Sequence, residues 1–361
     1  TLYDLEGMLG VAFERLEFKG KDLSDLVLRI DAKDTLANLT LALAEDFLDV
    51  ALGAAIRYDT LNPAMDMEMD LKMLDLNALG LVKQNIQMGF KLQGQVSGLL
   101  DDLRLMVQTS EGSFQTDRKS YPMGDIRLEA RVATLETDVK LLSDFLWGNL
   151  NVEGELAQLA PSLTRYFEYQ ILGKAYEGDT LDIKALAKID FRSTPFLDQL
   201  FLPDLQGMDT VHIDLAYDAK RRDFSSTVEL LWAQYLDARL DSFDVEIIGT
   251  GDLLTVDLGF KKLEYSPISM DLTGFEADFR QGNGELSFFS KQGETLYNQI
   301  AAELEFKGDT VALRVTPEGL VFNKEPWKTP IDNEVIYAPK YLSIQNFNFT
   351  NEAQRIGFLT D

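Results

Sequence analysis

Apolar and charged residues alternate one by one through residues 65–73, where every odd position is apolar and every even position is charged. Successive side chains of a β-strand point to opposite faces, so this period of two predicts a strand with one apolar and one charged face. A helix would spread the same pattern around its circumference. Met65, Met67, Met69 and Met73 therefore share one predicted apolar face.

The same alternation returns along the chain, between short clusters of Gly, Asn, Asp and Pro that favour turns. The further predicted strands are residues 26–30, 39–43, 86–92, 103–107, 126–132, 181–185, 211–217, 254–260, 268–279, 286–288, 300–306, 311–315 and 342–349. Such serial strands favour antiparallel pairing. We expect a mainly β chain, with an elongated, curled antiparallel sheet of the β-taco or repeating β-groove type and one to three short helices.

Two interruptions have helical spacing. After Pro161, apolar residues recur every three or four positions, and Ser162 or Pro161 suits the start of a helix. Thr194 and Pro195 form a second start signal. A third candidate, residues 74–83, has a less regular apolar spacing. We expect the first two helices to close an edge or an end of the sheet.

The length of 361 residues allows two ordinary domains or one large β architecture, at about 100–200 residues per domain. There is no exact internal repeat and no Ser/Pro-rich linker, although a weak break lies near residues 191–210. We therefore expect residues 1–361 to form one continuous β-groove segment. The start at Thr1, without Met or a signal segment, is typical of a fragment or a mature chain.

The composition excludes several classes of function. With 60 acidic and 34 basic residues the net charge is −26, which argues against nucleic acid and against a basic patch for anionic membranes. The absence of cysteine excludes thiolate nucleophiles and iron–sulfur clusters, and one histidine is too few for the usual catalytic zinc site. No run of 18 apolar residues predicts a membrane helix.

Candidate chemistry is sparse. His212 and Asp214 lie on the same predicted strand face, in the arrangement of a base with an orienting carboxylate. The polar face of a half-exposed strand is the simpler explanation, because no nucleophile motif accompanies the pair. Asp66, Glu68 and Asp70 also share a face. A straight strand makes a solvated stripe rather than a curved calcium loop. We expect no catalytic residues, no cofactor and no metal, and hence no enzyme.

One-sided strands must bury their apolar faces somewhere. They can face a second sheet in a closed sandwich, face lipid in a barrel, or line an open trough for an apolar ligand. A closed sandwich leaves open a glycosidase-like enzyme or a carbohydrate-binding module, since glycoside hydrolysis needs only two carboxylates. The methionines favour the trough because thioether chains adapt to varied partners, although methionine is also common in cores.

The C-terminal third resembles a known family. The segments that carry the resemblance are residues 294–300, 302–306, 311–315, 320–323 leading to Trp327, 333–337, 341–347 and 354–357, with residues 34–41 and 66–77 upstream. Their order is a strand pair, a Trp-containing strand, an Asn-x-x-Ile step and a strand ending in a Gln-containing turn. This order is similar to the recurring unit of the AsmA-like superfamily, in its TamB-type translocation and assembly module branch.

The resemblance implies a periplasmic bridge whose apolar groove conducts phospholipid acyl chains between the inner and outer membranes of Gram-negative bacteria and supports outer-membrane assembly. It implies an inner-membrane anchor and an outer-membrane barrel partner of the BamA/TamA type, both outside this segment. A scaffold for such a barrel that carries no lipid stays open as an alternative. The predicted groove residues are Met65, Met67, Met69, Leu71, Met73, Met88, Phe90, Leu92, Val211, Ile213 and Leu215.

An Asp-Thr-aliphatic triplet occurs five times, beginning at Asp34, Asp59, Asp179, Asp209 and Asp309. It resembles an acceptor for O-glycosylation of exported proteins in some bacteria. Asp and Thr are also favoured in turns that enter strands, so both interpretations stay open.

Overall fold

The computed structural model describes residues 7–12, 17–18, 21–22, 26–99, 101–117, 119–176, 182–200, 202–352 and 354–358. Of the chain, 67% is strand and 7% is helix, which confirms the predicted mainly β fold. Within the described residues, 26 strands belong to one antiparallel sheet that is not closed into a barrel, and two small hairpins form sheets of their own. Neither described helix has the length and apolar character needed to cross a membrane.

The chain divides into two compact units. Unit 1 comprises residues 1–151 and 191–203, and unit 2 comprises residues 152–190 and 204–361. Residues 191–203, which belong to unit 1 although they follow a part of unit 2, lie within the weak break noted in the sequence near residues 191–210.

Unit 1 is a series of antiparallel strands with one short helix. Strands β4 to β9 pair in chain order, β11 joins β9, and β12 joins β11. Its elements are β1 (Gly7–Ala12), β2 (Glu17–Phe18), β3 (Lys21–Asp22), β4 (Val27–Lys33), β5 (Leu36–Glu45), β6 (Leu48–Arg57), β7 (Ala64–Asp75), β8 (Ile86–Ser97), β9 (Asp102–Thr116), β10 (Ser120–Pro122), β11 (Arg127–Ala133), β12 (Glu136–Leu142), most of β13 (Leu146–Glu153) and helix α2 (Pro195–Leu200).

Unit 2 is also a series of antiparallel strands, with one longer helix. Strands β16 to β19 pair in chain order, and β22 to β25 continue from β19. Its elements are α1 (Leu156–Leu172), most of β14 (Lys184–Phe191), β15 (Leu205–Met208), β16 (Val211–Asp218), β17 (Asp223–Tyr235), β18 (Ala238–Thr250), β19 (Leu253–Phe260), β20 (Lys262–Tyr265), β21 (Ile268–Met270), β22 (Thr273–Arg280), β23 (Asn283–Gln292), β24 (Thr295–Lys307), β25 (Thr310–Phe322), β26 (Glu325–Pro326), β27 (Glu334–Ala338), β28 (Tyr341–Gln345), β29 (Asn348–Asn351) and β30 (Gln354–Gly357).

One of the two helices begins where it was predicted, and the other begins earlier. Helix α2 begins at Pro195 as predicted, and the Thr194 hydroxyl accepts a hydrogen bond from the Leu197 amide. Helix α1 begins at Leu156, six residues before Ser162, because Ser162 does not cap the helix. Its hydroxyl is buried and shares a 2.7 Å hydrogen bond with the Tyr217 hydroxyl.

The third predicted helix, at residues 74–83, is wrong. Leu74 and Asp75 belong to the end of β7, and the residues after β7 form consecutive turns. The Asp75 carboxylate accepts a hydrogen bond from the Ala78 amide, and the Asn77 side chain donates to the Lys83 carbonyl. Such local side-chain bonds compete with helical hydrogen bonding, and Gly80 has a positive φ of 70° that breaks a helix.

Helix α2 covers one end of the apolar face of unit 1. Phe196 and Leu197 enter a buried cluster formed with strands β8 and β9 and the turn after β7. The other buried members are Leu76, Ile86, Phe114 and Met123. The Phe114 ring stacks on Tyr121 with centroids 5.0 Å apart and meets Phe196 edge-on at 5.5 Å. This cluster is a buried core of the unit.

Helix α1 covers the corresponding part of unit 2. Tyr166 is fully buried, and its ring packs against Tyr217 and Phe224 at centroid distances of 5.9 Å and 6.1 Å. Its hydroxyl lies over Gly249 of β18, where a Cβ atom would overlap it. Burial raises the pKa of Tyr166 to about 12, so the phenol stays neutral at ordinary pH.

The close approach of Tyr166 to Gly249 predicts a selective effect of an added methyl group. Gly249→Ala should lower the free energy of unfolding by about 1–3 kcal/mol, because the packed phenol ring of Tyr166 cannot move away from the added methyl group. Gly53→Ala is the matched control, since no atom lies within 4 Å of the added Cβ. It should change stability by less than about 1 kcal/mol. Urea unfolding measures both, and equal costs would contradict the proposed packing of α1.

Candidate apolar face

The predicted alternation in β7 is present as two distinct faces. Met65, Met67 and Met69 are half-buried, whereas Asp66 and Glu68 between them are exposed. Met67 lies across Gly94 of β8, with its Cε atom within 2.5 Å of the position that a Cβ would take. A glycine at this position therefore provides the space in which the methionine side chain lies.

Strand register joins these residues into cross-strand rows, meaning sets of directly opposite residues on successive strands. Two rows in unit 1 cross eight strands with only apolar residues or glycine. One contains Ile30, Leu39, Ala54, Met67, Gly94, Val107, Leu128 and Leu141. The other contains Ala32, Ala37, Ile56, Met65, Val96, Leu105, Ala130 and Val139. Each spans about 34 Å, from seven spacings of ~4.8 Å.

A β-bulge changes the prediction for Met73. Leu71 pairs with Val50 and continues the apolar face, but Met73 pairs with Asp49 because the register shifts by one residue between them. Residues that pair directly share a face, so the bulge places Met73 with the charged Asp49. Leu74 instead pairs with Met88 and resumes the apolar face. Met73 is therefore removed from the predicted groove set.

The other predicted residues of unit 1 separate into two environments. Leu92 pairs with Met69 in a third row and is half-buried. Met88 and Phe90 pack against the cluster beneath α2, and Leu71 is only 6% exposed. Leu92 and Met69 therefore lie on the part of the face that no helix covers. Met88, Phe90 and Leu71 contribute to the packed part.

Ile213 and Leu215 of β16 begin two rows that cross unit 2. The row from Ile213 continues through Val228, Val245, Leu258, Phe275, Phe288, Ile300 and Leu320. The row from Leu215 continues through Ser226, Ile247, Val256, Ala277, Leu286, Ala302 and Val315. Val211 lies on the same face and pairs with Leu230.

The far ends of these two rows line an open apolar cavity of about 310 Å³ in unit 2. The lining residues are Phe275, Leu286, Phe288, Ile300, Ala302, Leu313, Val315, Leu320, Phe347 and Phe349. No charged or hydrogen-bonding side chain is among them, and Ile300 is 47% exposed. The cavity is thus a place where apolar surface stays accessible although a ligand-free sheet would gain by covering it.

Sequence reasoning missed these cavity residues as a group. The alternation in residues 268–279 and 300–306 marks the apolar face of each strand separately. Joining Phe275 to Phe288 and Ile300 requires the register of β22, β23 and β24, which the turns alone do not determine.

A polar network fixes the C-terminal end of α1 beside the rows of unit 2. The Tyr169 hydroxyl donates to Asp252 (2.7 Å) and accepts from Gln281 (2.8 Å), and Arg222 donates to Asp252 (2.8 Å). The hydrogen bond from Tyr169 lowers the pKa of Asp252, with the Arg222 charge acting in the same direction. Gly173 ends the helix in the left-handed conformation, φ 66°. Helix α1 is therefore a fixed wall of this face.

The opposite face of unit 2 is charged. Asp278, Glu285 and Glu303 occupy successive strands of one row, and Arg314 follows them. Arg314 donates to Glu334 at 2.5 Å, a hydrogen bond that raises the pKa of Arg314. The contrast between the two faces gives the sheet one wettable side and one apolar side.

His212 and Asp214, considered above as a base with its orienting carboxylate, have different partners in the structure. His212 Nδ1 lies 2.7 Å from Asp190 Oδ1, whereas Asp214 lies 3.3 Å from Lys188 Nζ. The His212 side chain is 55% exposed. The His212–Asp190 contact is a cross-strand hydrogen bond and the Asp214–Lys188 contact a cross-strand ion pair, both on a solvated face. This arrangement fits the structural interpretation of His212 rather than that of an oriented base.

Carboxylates that could hold a metal ion are not gathered in the described residues. Asp66 and Glu68 stand on a straight strand, paired with Gln95 and Gln93. No group of three or more His, Asp or Glu with metal-binding geometry occurs in the described part of the chain.

Four of the five Asp-Thr triplets lie in turns or strand entries. Asp34 has a positive φ of 55°, the Asp59 carboxylate accepts from the Leu61 amide, and Asp209 accepts from the Thr210 amide. Asp309 lies in the turn before β25. Residues 179–181 lie outside the described residues. The turn interpretation accounts for these four positions, and glycosylation stays a hypothesis.

Comparison with known families gives no match, and searches of curated proteins and of solved structures find no significant similarity either.

Proposed function

We propose that this chain is a non-enzymatic lipid carrier that conducts phospholipid acyl chains along its apolar sheet face. In this proposal it forms part of a periplasmic bridge between inner and outer membranes and supports outer-membrane assembly. The apolar face supports the lipid-carrying role. The two membranes, the inner-membrane anchor and the BamA/TamA-type barrel partner rest on the resemblance to the AsmA-like superfamily.

The observation that carries the proposal is the accessibility of the apolar rows. In a closed sandwich these residues would be buried against a second sheet. Here every residue of the rows through Met67 and Met65 except Gly94 is half-buried, and Ile300 is 47% exposed. Buried clusters lie beneath α1 and α2 and around Trp327 instead. A sheet that keeps long apolar rows accessible is suited to a ligand with long apolar chains.

The chemistry of the cavity favours acyl chains over polar ligands. A polar ligand would lose its hydrogen bonds to water and regain none from the lining, at a cost of about 1–3 kcal/mol per group. An acyl chain gains roughly 0.8 kcal/mol for each buried methylene group. The choice of ligand would therefore depend on the shape of the cavity and on the exclusion of water from it. The lipid headgroup would stay in solvent.

Photo-crosslinking from the two faces of one strand tests this proposal. Phe288 lines the cavity, whereas its neighbour Phe289 packs on Gly274 on the opposite face. A benzophenone side chain at position 288 should crosslink phospholipid in cells or vesicles, and one at position 289 should not. The matched positions share strand, residue type and partial burial.

A native mass spectrum of protein purified without detergent provides an independent measurement. Retained phospholipid supports the carrier. Equal crosslinking from positions 288 and 289, together with a spectrum free of lipid, would refute it and favour the scaffold that carries no lipid.

A further inference from the structure

The two C-terminal strands stand apart from the large sheet. Strands β29 and β30 pair with each other and form a separate two-stranded sheet, which together with the preceding residue Phe347 we call the C-terminal hairpin. The predicted single strand at residues 342–349 is interrupted before it, at Asn346, which has a positive φ of 48°. This residue leads the chain from β28 into the hairpin.

The hairpin supplies part of the wall of the apolar cavity. Phe349 is 6% exposed and belongs to a buried cluster with Val315 and Trp327. Phe347 packs against the same cluster, and the rings of Phe347 and Phe349 meet edge-on at 4.8 Å. Phe347 and Phe349 are the only cavity-lining residues outside strands β22 to β25. Their rings lie where the apolar rows of unit 2 end.

Few described hydrogen bonds hold the hairpin to the sheet. One bridge joins Lys328 to Thr350, with backbone hydrogen bonds of 2.8 Å and 3.1 Å. The side-chain amide of Asn346, just before the hairpin, also donates a hydrogen bond to the Asp332 carboxylate at 2.6 Å. A two-stranded hairpin is at best marginally stable by itself, so its position depends mainly on the two phenylalanine contacts.

We propose that the C-terminal hairpin is a lid, and that an acyl chain entering the cavity displaces Phe347 and Phe349 from the cluster around Trp327. This inference rests on the proposed lipid-carrying function. The two phenylalanines cover apolar surface while no ligand is present. A bound acyl chain covers the same apolar surface, so the closed position of the hairpin is then no longer favoured. Opening of the hairpin and binding of the acyl chain are therefore coupled.

An engineered disulfide tests the lid directly. The two hydrogen bonds make Lys328 and Thr350 a hydrogen-bonded antiparallel pair, whose Cα atoms lie about 5.5 Å apart, within the range that a disulfide spans. Both side chains are exposed, and the chain has no native cysteine to interfere. Lys328→Cys with Thr350→Cys should therefore lock the hairpin closed when oxidised and release it when reduced.

We expect the oxidised protein to bind a fluorescent long-chain fatty acid at least about tenfold more weakly. The disulfide prevents the hairpin from opening, so the open state that binds the acyl chain is no longer populated. Reduction should restore the affinity. The single variant Thr350→Cys, carried through the same oxidation and reduction, should show no change. Equal affinity of the oxidised and reduced double variant would overturn the lid.

Hydrogen exchange of the wild-type protein without ligand separates this inference from the proposed function. Amides of β29 and β30 should exchange faster than those of β24 and β25, and oxidation of the double variant should slow them. If neither redox state binds the fatty acid, the carrier function fails, and fast exchange still supports an opening hairpin. Exchange as slow as that of β24 overturns the lid whatever the ligand does.

Discussion

Glutamate at Ile300 is expected to weaken acyl-chain binding by at least about tenfold, equivalent to ~1.4 kcal/mol, whereas glutamate at Ile248 should leave binding unchanged. Ile300 lines the apolar cavity and pairs with Phe288 and Leu320. A carboxylate there would lose its hydration when a ligand covers it, and no described cavity residue offers a compensating donor.

Ile248 is a closely matched control for this substitution. It is 44% exposed, against 47% for Ile300, and each residue lies within a central strand of unit 2. Its neighbour Ile247 is on the apolar face, so Ile248 itself points to the charged face. Both variants add one negative charge to a chain of net charge −26, so any general repulsion of anionic lipid is the same in both.

Equilibrium binding of a fluorescent phospholipid to purified protein measures the difference, with urea unfolding as the check on folding. Both isoleucines are partly exposed, so each variant should lose no more than about 1 kcal/mol of stability. If Ile248→Glu weakens binding as much as Ile300→Glu, the ligand does not use the apolar face. If neither changes affinity, the cavity is not the binding site.

The same comparison applies to unit 1 with Met67→Arg and Glu68→Arg. Met67 is half-buried in an apolar row, and Glu68 is exposed on the other side of the strand. If the apolar face is open, the Met67→Arg protein should fold but should no longer conduct lipid. A closed sandwich would unfold, because a charge cannot be buried there without a partner.

The alternation of residues predicted the two faces of individual strands well. Met65 and Met67 share a face with Met69, as their spacing requires, and Ile213 and Leu215 do so in β16. The period of two is a property of each strand's backbone, so it can be read without knowing the neighbours. The mainly β class followed from its repetition along the chain.

Relations between strands were not predictable in the same way. The bulge that moves Met73 to the charged face appears only when β7 is paired with β6, where Asp49 opposes it. Several strands also escaped notice because their alternation is incomplete. In β17, for example, Leu230, Leu231 and Trp232 are consecutive apolar residues.

Long-range packing was the least predictable level. Capping chemistry made the helix start at Pro195 evident from the sequence. It did not indicate that Phe196 would contact Phe114, about 80 positions earlier. Likewise, the sequence indicated a strand through Phe349, but not its contact with Trp327. Such contacts depend on the complete set of strand registers rather than on any local pattern.

Phe114→Ala should lower the free energy of unfolding of unit 1 by about 3–5 kcal/mol, the largest single effect on stability that we expect. Phe114 is 1% exposed and contacts both Tyr121 and Phe196. Removing the ring leaves a cavity in the cluster that holds α2 against the sheet.

Met67→Ala is the informative comparison, because Met67 lies on the same face but outside the cluster beneath α2. A half-buried methionine should cost only about 1 kcal/mol on truncation. Urea unfolding followed by a signal from unit 1 compares the two values. Equal costs would mean that the apolar face is packed along its whole length, as in a sandwich. A large difference would mean that the helix-covered cluster stabilises the sheet while the open rows are free to take up a ligand without contributing much to folding.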